Sequence, residues 1–369
     1  MRSGYYTFGP QGSPSALDIY LGILEEVPDH YRAKQAIETL RQSFVSMISE
    51  LIAVGEFNQA ARLITRGASL NEPFSNNELK AQLRELAEQI ETLKDNMSLR
   101  RESYQSAKFE PLESFQDPLK DGNDGPVMVF IPEGTVFIGT PVNEVGRDAD
   151  EGPMLELAVP RFAVSAYEIT FDEYDQFARN QGHDLPDDNG WGRGQRPVIN
   201  TSWRDALAYA HWLSLQTGYR YRLLSEVEWE YVARAGGRGR YHSGNCLSGT
   251  QANFKERGEM LNGCTVGDAF VGRTLEVGSF EPNAWGLYDI HGNVREWVAD
   301  CWANFYRQTD ATAISHTEGL ECGVGGKRVL RGGSWDANAL SSRIGNRFAA
   351  EQSISSHSFG FRLAREIAQ

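Results

Sequence analysis

Apolar side chains recur at spacings of three and four residues through the first hundred positions, which is the period of a helix buried on one face. Turn signals divide this region. Pro28 ends the first segment because helical geometry is disfavoured at the residue before a proline, and Gly55 marks a turn further along. The predicted helices are SALDIYLGILEEV, YRAKQAIETLRQSFVSMISELIAV, FNQAARLITRGAS and NELKAQLRELAEQIETLKDNMSLRRESY. We therefore predict an α-helical domain over residues 1–108.

The role of this helical domain is indicated by one short stretch. AVGEFNQAARLI resembles the turn and second helix of a tetratricopeptide-like repeat. A spacer or docking bundle is the favoured interpretation, and a peptide-binding repeat groove is the alternative. Residues 109–126 concentrate Pro, Gly and Asp without periodicity, which predicts an interdomain linker.

The pattern changes after this segment. VMVFIPEGTVFIGT alternates apolar and polar positions as strands do, and residues 127–369 are rich in Gly, Trp, Tyr and short strand-like runs. Two helices stand out. TSWRDALAYAHWLSLQTG begins at a Thr201 or Ser202 cap, and LSEVEWEYVARAGG has Ser225 and Glu228 in capping-box spacing. The second domain is thus predicted to be α+β with much irregular loop, and its tryptophans are predicted to be core residues. These are Trp203, Trp212, Trp229, Trp285 and Trp297.

Charge and hydropathy narrow the classes of partner. The formal net charge of −14 argues against a nucleic-acid partner, since binding phosphates requires clustered Lys and Arg. No apolar run reaches the roughly 20 residues that span a bilayer, and the start of the chain has no apolar core of a secretory signal. The sequence predicts a soluble protein without a membrane span, cytoplasmic by default.

The four cysteines are Cys246, Cys264, Cys301 and Cys322, and no two of them form a CxxC pair. Tetrahedral zinc is not expected at such spacings. Two disulfides and four buried thiols are both compatible with the count.

Seven ordered motifs then carry a resemblance to a family. They are GTVFIGT, YEITFDEYDQF, PVINTSWRDALAYAHWLS, YRLLSEVEWEYVARAG, NAWGLYDIHGNVREW, RVLRGGSW and FGFRLA. Together they resemble the sulfatase-modifying-factor family, which includes the formylglycine-generating enzymes, over about residues 125 to 366. The resemblance implies a C-type-lectin-like fold of short strands, two helices and long loops.

The resemblance also implies structural calcium. The stretch from Asp289 to Glu296 mixes carboxylates with a glycine, as a hard cation requires. The family pattern assigns side-chain ligands to Asp289 and Glu296, and backbone carbonyls to Gly292 and Val294. A second family site falls on Asn253, Phe254, Asp268 and Phe270. The alternative is that these carboxylates accept bonds from loop amides or pair with an arginine.

The catalytic cysteines of that family are missing. Formylglycine-generating enzymes bind copper with two cysteines after the GGS motif, and alignment on Gly332-Gly333-Ser334 puts Ala337 and Ser342 there. Arg295 stands where those enzymes have a tryptophan. Copper is therefore not expected, no catalytic residue is assigned, and the sequence favours a pseudoenzyme.

What replaces the copper site resembles another group of proteins with this fold. Residues 335–359, between RVLRGGSW and FGFRLA, are small, polar and mixed. They resemble the variable region of diversity-generating-retroelement proteins, whose asparagine-rich template codons are mutated at adenines. An ordinary serine-rich surface loop is the equally open alternative.

A solvent-facing binding patch is predicted within this segment, with Arg343 and Arg347 beneath it in structural contacts. Its residues are Trp335, Asp336, Ala337, Asn338, Leu340, Ser342, Ile344, Asn346, Phe348 and His357. The leading hypothesis is a non-catalytic protein that binds another macromolecule here, with a possible partner protein at the helical domain. The alternatives are a modifying enzyme with a relocated site and a structural adaptor acting through the helical domain.

Overall fold

The computed structural model divides the chain into two compact units, Met1–Leu99 and Arg100–Gln369. It describes residues 16–53, 57–70, 74–104, 110–255, 260–261, 263–265, 267, 270–306, 322 and 326–367.

The first unit consists of four helices in its described part, as the apolar spacing predicts. They are α1 (Ala16–Glu26), α2 (Tyr31–Ala53), α3 (Phe57–Ala68) and α4 (Asn77–Tyr104). Phe44 of α2 lies at the centre of the unit, where its ring meets that of Phe74 edge-on at 5.9 Å. Gly67 of α3 packs directly on Phe44, so a larger side chain there would overlap the ring. Ile48, Ile64 and Leu83 are among the other buried apolar residues of this unit.

In its described part, the second unit combines the last residues of α4 and three further α-helices with short strands. The helices are α5 (Phe171–Gln181), α6 (Trp203–Thr217) and α7 (Glu226–Arg234). The strands are β1 (Ser114–Phe115), β2 (Met128–Ile131), β3 (Gly134–Ile138), β4 (Leu155–Val159), β5 (Phe162–Ser165), β6 (Tyr221–Leu223), β7 (Met260–Leu261), β8 (Cys264–Thr265), β9 (Arg295–Cys301), β10 (Lys327–Arg331), β11 (Phe348–Glu351), β12 (Phe359–Gly360) and β13 (Leu363–Glu366).

Two sheets organise these strands. A five-stranded sheet has the order β1-β2-β5-β13-β6, and a four-stranded sheet has the order β11-β10-β9-β12, in which β12 runs parallel to β9. The pairs β3-β4 and β7-β8 form separate two-stranded ladders. The strand β13 lies between β5 and β6, so it is an inner strand of the larger sheet. The predicted α+β architecture is confirmed.

Part of the predicted linker 109–126 belongs to the second unit. Phe115 of β1 pairs with Met128 of β2. Asp117 is completely buried, where it accepts a hydrogen bond of 2.5 Å from the Tyr221 hydroxyl and pairs with Arg365 at 2.6 Å. A carboxylate can be buried in this way only because both partners neutralise or bond it.

The capping signals correctly locate the predicted helix starts. Ser202 caps α6, and Ser225 forms the capping box of α7 with Glu228. The helix α5 is an addition to the two helices expected in this domain. Its start carries the same signal, because the Thr170 hydroxyl accepts from the Glu173 amide while the Glu173 carboxylate accepts from the Thr170 amide at 2.7 Å.

Large aromatic side chains and buried ion pairs fill the core of the second unit. Trp203, Trp212, Trp229 and Trp297 are at most 4% exposed, as predicted, while Trp285 is half-buried. Arginines from β10, from β13 and from the segments between these strands enter the same interior and meet carboxylates there, which is how charges are tolerated at such depth. The pairs are Arg331 with Glu226 and Glu230, Arg343 with Glu144 and Glu151, Arg347 with Glu226, Arg362 with Glu296, and Arg365 with Asp117.

All four cysteines are paired in disulfides, which resolves the alternatives left open by the sequence. One bond joins Cys246 to Cys264 across 18 residues, and the other joins Cys301 to Cys322 across 21 residues. The Cα atoms are 5.4 Å and 5.3 Å apart, within the normal range for a disulfide.

Among the described residues, no helix is both long enough and apolar enough to span a bilayer.

Candidate ligand-binding face

The GGS motif sets the geometry of the segment that follows it. Gly332 and Gly333 both have positive φ angles, of 93° and 77°, which favour glycine. A side chain at Gly333 would overlap Ser342, so the close approach also requires glycine there. Ser334 is buried, and its hydroxyl donates to Asp336 Oδ1 at 2.6 Å. The motif thereby turns the chain so that Trp335 and Asp336 reach the surface.

Three residues of the predicted solvent-facing patch are buried, so that part of the prediction is wrong. Ser342, Ile344 and Asn346 are 0%, 2% and 8% exposed. The reason is a 3-10 turn over Ala339–Ser342 that folds the chain back onto the core. Ser342 Oγ donates to the Asn338 carbonyl, and Ile344 joins the hydrophobic cluster behind β10. These three side chains are therefore largely shielded from solvent.

The two arginines of the segment lie beneath it, as predicted. Arg343 is completely buried and bonds the Glu151 carboxylate with both terminal nitrogens, at 2.9 and 2.6 Å. Arg347 forms a bidentate ion pair with Glu226, in which two guanidinium nitrogens donate to the two carboxylate oxygens at 2.7 and 2.8 Å. Such bidentate pairs fix direction as well as distance. The segment is therefore anchored to the fold at two points.

The remaining seven patch residues lie at or near the surface. Phe348 is 40% exposed, and Asn338 and His357 are exposed as well. The half-buried residues are Trp335, Asp336, Ala337 and Leu340.

A cluster of four aromatic rings stands at one end of this surface. Trp335 is its centre. Trp191 meets it at 86° with ring centroids 5.2 Å apart, His357 lies 5.3 Å away, and Phe270 stacks at 6.3 Å. The Trp335 indole N–H donates to the His357 carbonyl at 3.2 Å. We call Trp191, Phe270, Trp335 and His357 the aromatic cluster.

Arg295 and Phe348 lie beside the aromatic cluster. The guanidinium carbon of Arg295 stands 4.6 Å from the centroid of the Phe348 ring. The Arg295 amide donates to the Ser358 carbonyl at 2.8 Å, which holds β9 next to His357. Burial lowers the pKa of Arg295 to about 10, and the nearby Asp336 carboxylate opposes this shift.

Both ring nitrogens of His291 are engaged within the fold. Its Nδ1 lies 2.8 Å from the Ser342 carbonyl, and its Nε2 accepts from the His242 amide at 3.0 Å. Its ring stacks on that of His242 at 4.9 Å. Burial, together with His242, lowers the pKa of His291 to about 3, so the neutral ring fits this bonding pattern.

The first predicted calcium set lies in a buried acidic region. Asp289 Oδ2 accepts from the Gly278 amide at 2.6 Å, and burial raises the pKa of Asp289 to about 6. Both oxygens of Glu296 bond Arg362 at 2.7 Å, so this carboxylate already has a cationic partner. Burial, Asp289 and Glu296 raise the pKa of Glu168 well above its ordinary value. Three carboxylates thus lie around one arginine, a crowding of acidic groups that bound protons or a cation would relieve.

The second predicted set adjoins the first. Asn253 pairs with Gly292 in a parallel bridge, and the Asn293 amide donates to the Asn253 carbonyl at 2.8 Å. Asn253 is 1% exposed, and its Oδ1 accepts no hydrogen bond from any described residue. Asn253 fits a calcium ligand, since a buried oxygen that accepts no hydrogen bond can donate to a hard cation. Phe254 is buried, Phe270 belongs to the aromatic cluster, and Asp268 lies outside the described residues. Calcium at both sets stays a prediction.

Sequence reasoning missed Trp191 as a surface aromatic. It lies in the loop DDNGWGRGQ, and a tryptophan flanked by glycines in a polar loop was the available signal. Only the fold brings this loop to Trp335, 144 positions later, so spacing alone could not pair them.

The family is decided by comparison with known sequences. The family described as "Sulfatase-modifying factor enzyme 1-like domain" matches residues 114–367. The chain belongs to this family.

Relatives within the sulfatase-modifying-factor family include active and inactive enzymes. The formylglycine-generating enzyme of Streptomyces coelicolor is 36% identical over 181 residues, covering 47% of this chain and 54% of that enzyme. The inactive C-alpha-formylglycine-generating enzyme 2 of Mus musculus is 29% identical over 291 residues, covering 65% of this chain and 85% of that protein. The chain spans about half the length of the Streptomyces enzyme, so no activity is carried over from it.

Solved structures confirm the fold. PvdO from Pseudomonas aeruginosa is similar with a TM-score of 0.60 and 35% identity, covering 70% of this chain and all of that protein. Treponema denticola variable protein 1 is similar with a TM-score of 0.50 and 20% identity, covering 68% of this chain and 98% of that protein. The second similarity shows the fold alone.

Proposed function

We propose that this protein is a non-catalytic binding protein whose ligand contacts the aromatic cluster and the exposed residues of the segment 335–359. One observation carries the proposal. Ala337 and Ser342 occupy the positions of the copper-binding cysteines, and Ser342 is turned into the core, while aromatic side chains gather at the adjoining surface. A surface of this kind suits binding better than oxidation.

The aromatic cluster has the chemistry of a binding hot spot. Tryptophan offers a large contact area with few rotatable bonds, and it is enriched among residues that dominate interface energies. Trp335 is held by the rings of Trp191 and His357 and by its own indole hydrogen bond, so little side-chain entropy remains to be lost on binding. Asn338 and Asp336 beside it supply hydrogen-bonding groups. This combination favours a macromolecular ligand.

The enzyme alternative requires a thiolate pair elsewhere. All four cysteines are in disulfides, so a relocated copper site would first need reduction of one of them. We expect no formylglycine when the protein is incubated with a cysteine-containing peptide, copper and oxygen and the peptide is analysed by mass spectrometry. Conversion of the peptide would overturn the non-catalytic proposal.

A peptide-display selection tests the binding proposal directly. Random peptides are selected on the full chain, and individual peptides are then measured by calorimetry. We expect them to lose binding at least about tenfold on Trp335→Ala and on His357→Ala. The matched control is Tyr31→Ala, which removes a 74% exposed aromatic ring of the helical unit. Thermal melts establish that the variants are folded.

The outcomes of this selection separate the hypotheses. Peptides that bind Trp335→Ala as tightly as the original chain contradict the proposed face. Peptides that lose binding on Tyr31→Ala instead support the structural adaptor that acts through the helical unit.

Retroelement diversification is a finer proposal about the same segment. Two observations support it. The residues at positions 335–359 are small, polar and mixed in type, and their side chains fall into an exposed set and a buried set. DNA sequencing beside the gene should find a near-copy of the segment next to a reverse-transcriptase gene. Template adenines should fall in the codons of exposed residues and spare those of Ser342, Arg343, Ile344 and Arg347, because changing these would disturb the core. Absence of a copy, or adenines concentrated in the buried codons, would contradict the proposal.

Structural calcium is a proposal supported by the buried Asn253 oxygen and by the excess of carboxylates around Asp289. Removal of calcium with a chelator should lower the melting temperature, and added calcium should restore it. In the Asn253→Ala variant, the chelator should lower the melting temperature by a smaller amount than in the original chain. An unchanged melt after complete removal, verified by elemental analysis, would refute the proposal.

A further inference from the structure

Arg295 differs from the arginines that line the core of the same unit. Arg331 and Arg362 donate to carboxylates, and Arg328 donates to the Ala299 carbonyl. The side chain of Arg295 donates no hydrogen bond to any described residue. Its guanidinium stacks on the face of the Phe348 ring. A guanidinium has five N–H donors in a fixed fork, so the whole fork of Arg295 is available.

The position of this fork is on the proposed binding face. Phe348, on which the guanidinium stacks, is 40% exposed, and the Arg295 amide bonds Ser358, the neighbour of His357. Asp336 is close enough to act on Arg295 electrostatically, but the one hydrogen bond that it accepts from a described side chain comes from Ser334. Arg295 therefore lies against Phe348 and near Asp336, and no described residue accepts a hydrogen bond from its side chain.

A half-buried guanidinium that donates no hydrogen bond to a carboxylate is unfavourable. Burial removes part of its hydration, and the lowered pKa of about 10 expresses the same cost for the charged form. An oxyanion that accepts two parallel N–H bonds would remove this cost, because a charge-assisted bidentate bond gains strength where water is excluded.

We propose that Arg295 binds a carboxylate of the ligand, and that the apolar group attached to this carboxylate packs against Phe348 and Trp335. The inference rests on the proposed function, since it assigns the ligand chemistry of the same face. A carboxylate fits better than a phosphate. It is planar, it carries one charge, and the neighbouring Asp336 together with a net charge of −14 disfavours a dianion.

Four short peptides test the carboxylate and its source. N-acetyl-Gly-Phe with a free C terminus is compared with its amide, and N-acetyl-Asp-Phe-amide is compared with N-acetyl-Asn-Phe-amide. Binding to the full chain is measured by NMR titration at constant ionic strength. We expect at least one acid to bind about fivefold or more tightly than its neutral partner. The first pair reports a chain terminus, and the second reports an acidic side chain.

Variants then assign the preference to Arg295. In Arg295→Gln the acid and its neutral partner should bind equally, while weak binding through the aromatic rings remains. Arg295→Lys keeps the charge but not the fork, so most of the preference should be lost. Asp336→Asn should strengthen binding of the acid. Arg62→Gln, which removes an exposed arginine of the helical unit, is the charge-matched control and should change nothing.

Three results would overturn the inference. They are equal binding of both acids and their neutral partners by the original chain, a preference that survives Arg295→Gln, and no binding of any of the four peptides. The display selection distinguishes this failure from failure of the proposed function. If the selected peptides depend on Trp335 but show no preference for a carboxylate, only the proposed role of Arg295 is contradicted.

Discussion

Buried and exposed side chains alternate closely between Trp335 and Phe359. Arg343 is completely buried and Phe348 is 40% exposed, although they are five positions apart. The buried arginines fix the backbone from below, so we expect changes of the exposed side chains to leave the fold intact. This arrangement gives the proposed face a rigid base.

A pair of substitutions tests this division. Arg343→Ala leaves the Glu151 carboxylate buried without its partner and should lower the free energy of unfolding by about 3–5 kcal/mol. Phe348→Ala removes a partly exposed ring and should cost less than about 1.5 kcal/mol. Urea denaturation of the two variants and the original chain measures both. Similar costs for the two variants would show that the segment is not divided in this way.

At the scale of single elements, a carboxylate with a raised pKa lies at the start of α7. Asp300 of β9 accepts from the Glu226 amide at 2.6 Å. Burial raises the pKa of Asp300 to about 7, Glu226 and Glu228 add to the shift, and Arg347 opposes it. Between about pH 4 and pH 7 this group is protonated in the folded protein and ionised in the unfolded chain. Its contribution to stability is therefore complete below about pH 4 and is lost as the pH rises through 7.

Asp300→Asn should remove this pH dependence. The amide oxygen can still accept from the Glu226 amide, but the side chain cannot ionise. From pH 5 to pH 8 the variant should gain about 1–2 kcal/mol in free energy of unfolding relative to the original chain. Urea denaturation at the two pH values provides the measurement. Parallel pH profiles would mean that Asp300 is ionised throughout.

Local signals were sufficient for most helices. The capping residues Ser202 and Ser225 begin α6 and α7 as predicted. The helix α5 carries Thr170 and Glu173 in the same spacing but was not singled out, because only 11 residues follow the cap and aromatic residues within them also suit strands. Short strands such as β12 could not be assigned locally, since two residues form a strand only through their partner β9.

At the scale of the whole molecule, the two disulfides lead us to propose a compartment other than the cytoplasm. Structural disulfides persist in oxidising compartments and are rare in the cytosol. Cys246–Cys264 and Cys301–Cys322 therefore favour an oxidising compartment over the cytoplasm expected by default. Labelling of thiols in intact cells would test this directly.

Reduction should destabilise the second unit. Each disulfide closes a loop of about twenty residues, for which loop-closure entropy predicts roughly 3 kcal/mol. We expect a reductant to lower the melting temperature, and a thiol reagent to find no free thiol in the unreduced, denatured protein. Four reactive thiols before reduction would contradict both the pairing and the compartment.

The sequence by itself determined the four helices of the first unit, the family of the second, the loss of the copper-binding cysteines and the buried tryptophans. Periodicity, caps and ordered motifs are local properties, and the sequence displays them directly. The tertiary structure decided which residues of the segment 335–359 face solvent, which cysteines pair, and that Trp191 contacts Trp335. Each of these depends on contacts between residues far apart in the chain, and only the folded backbone brings such residues together.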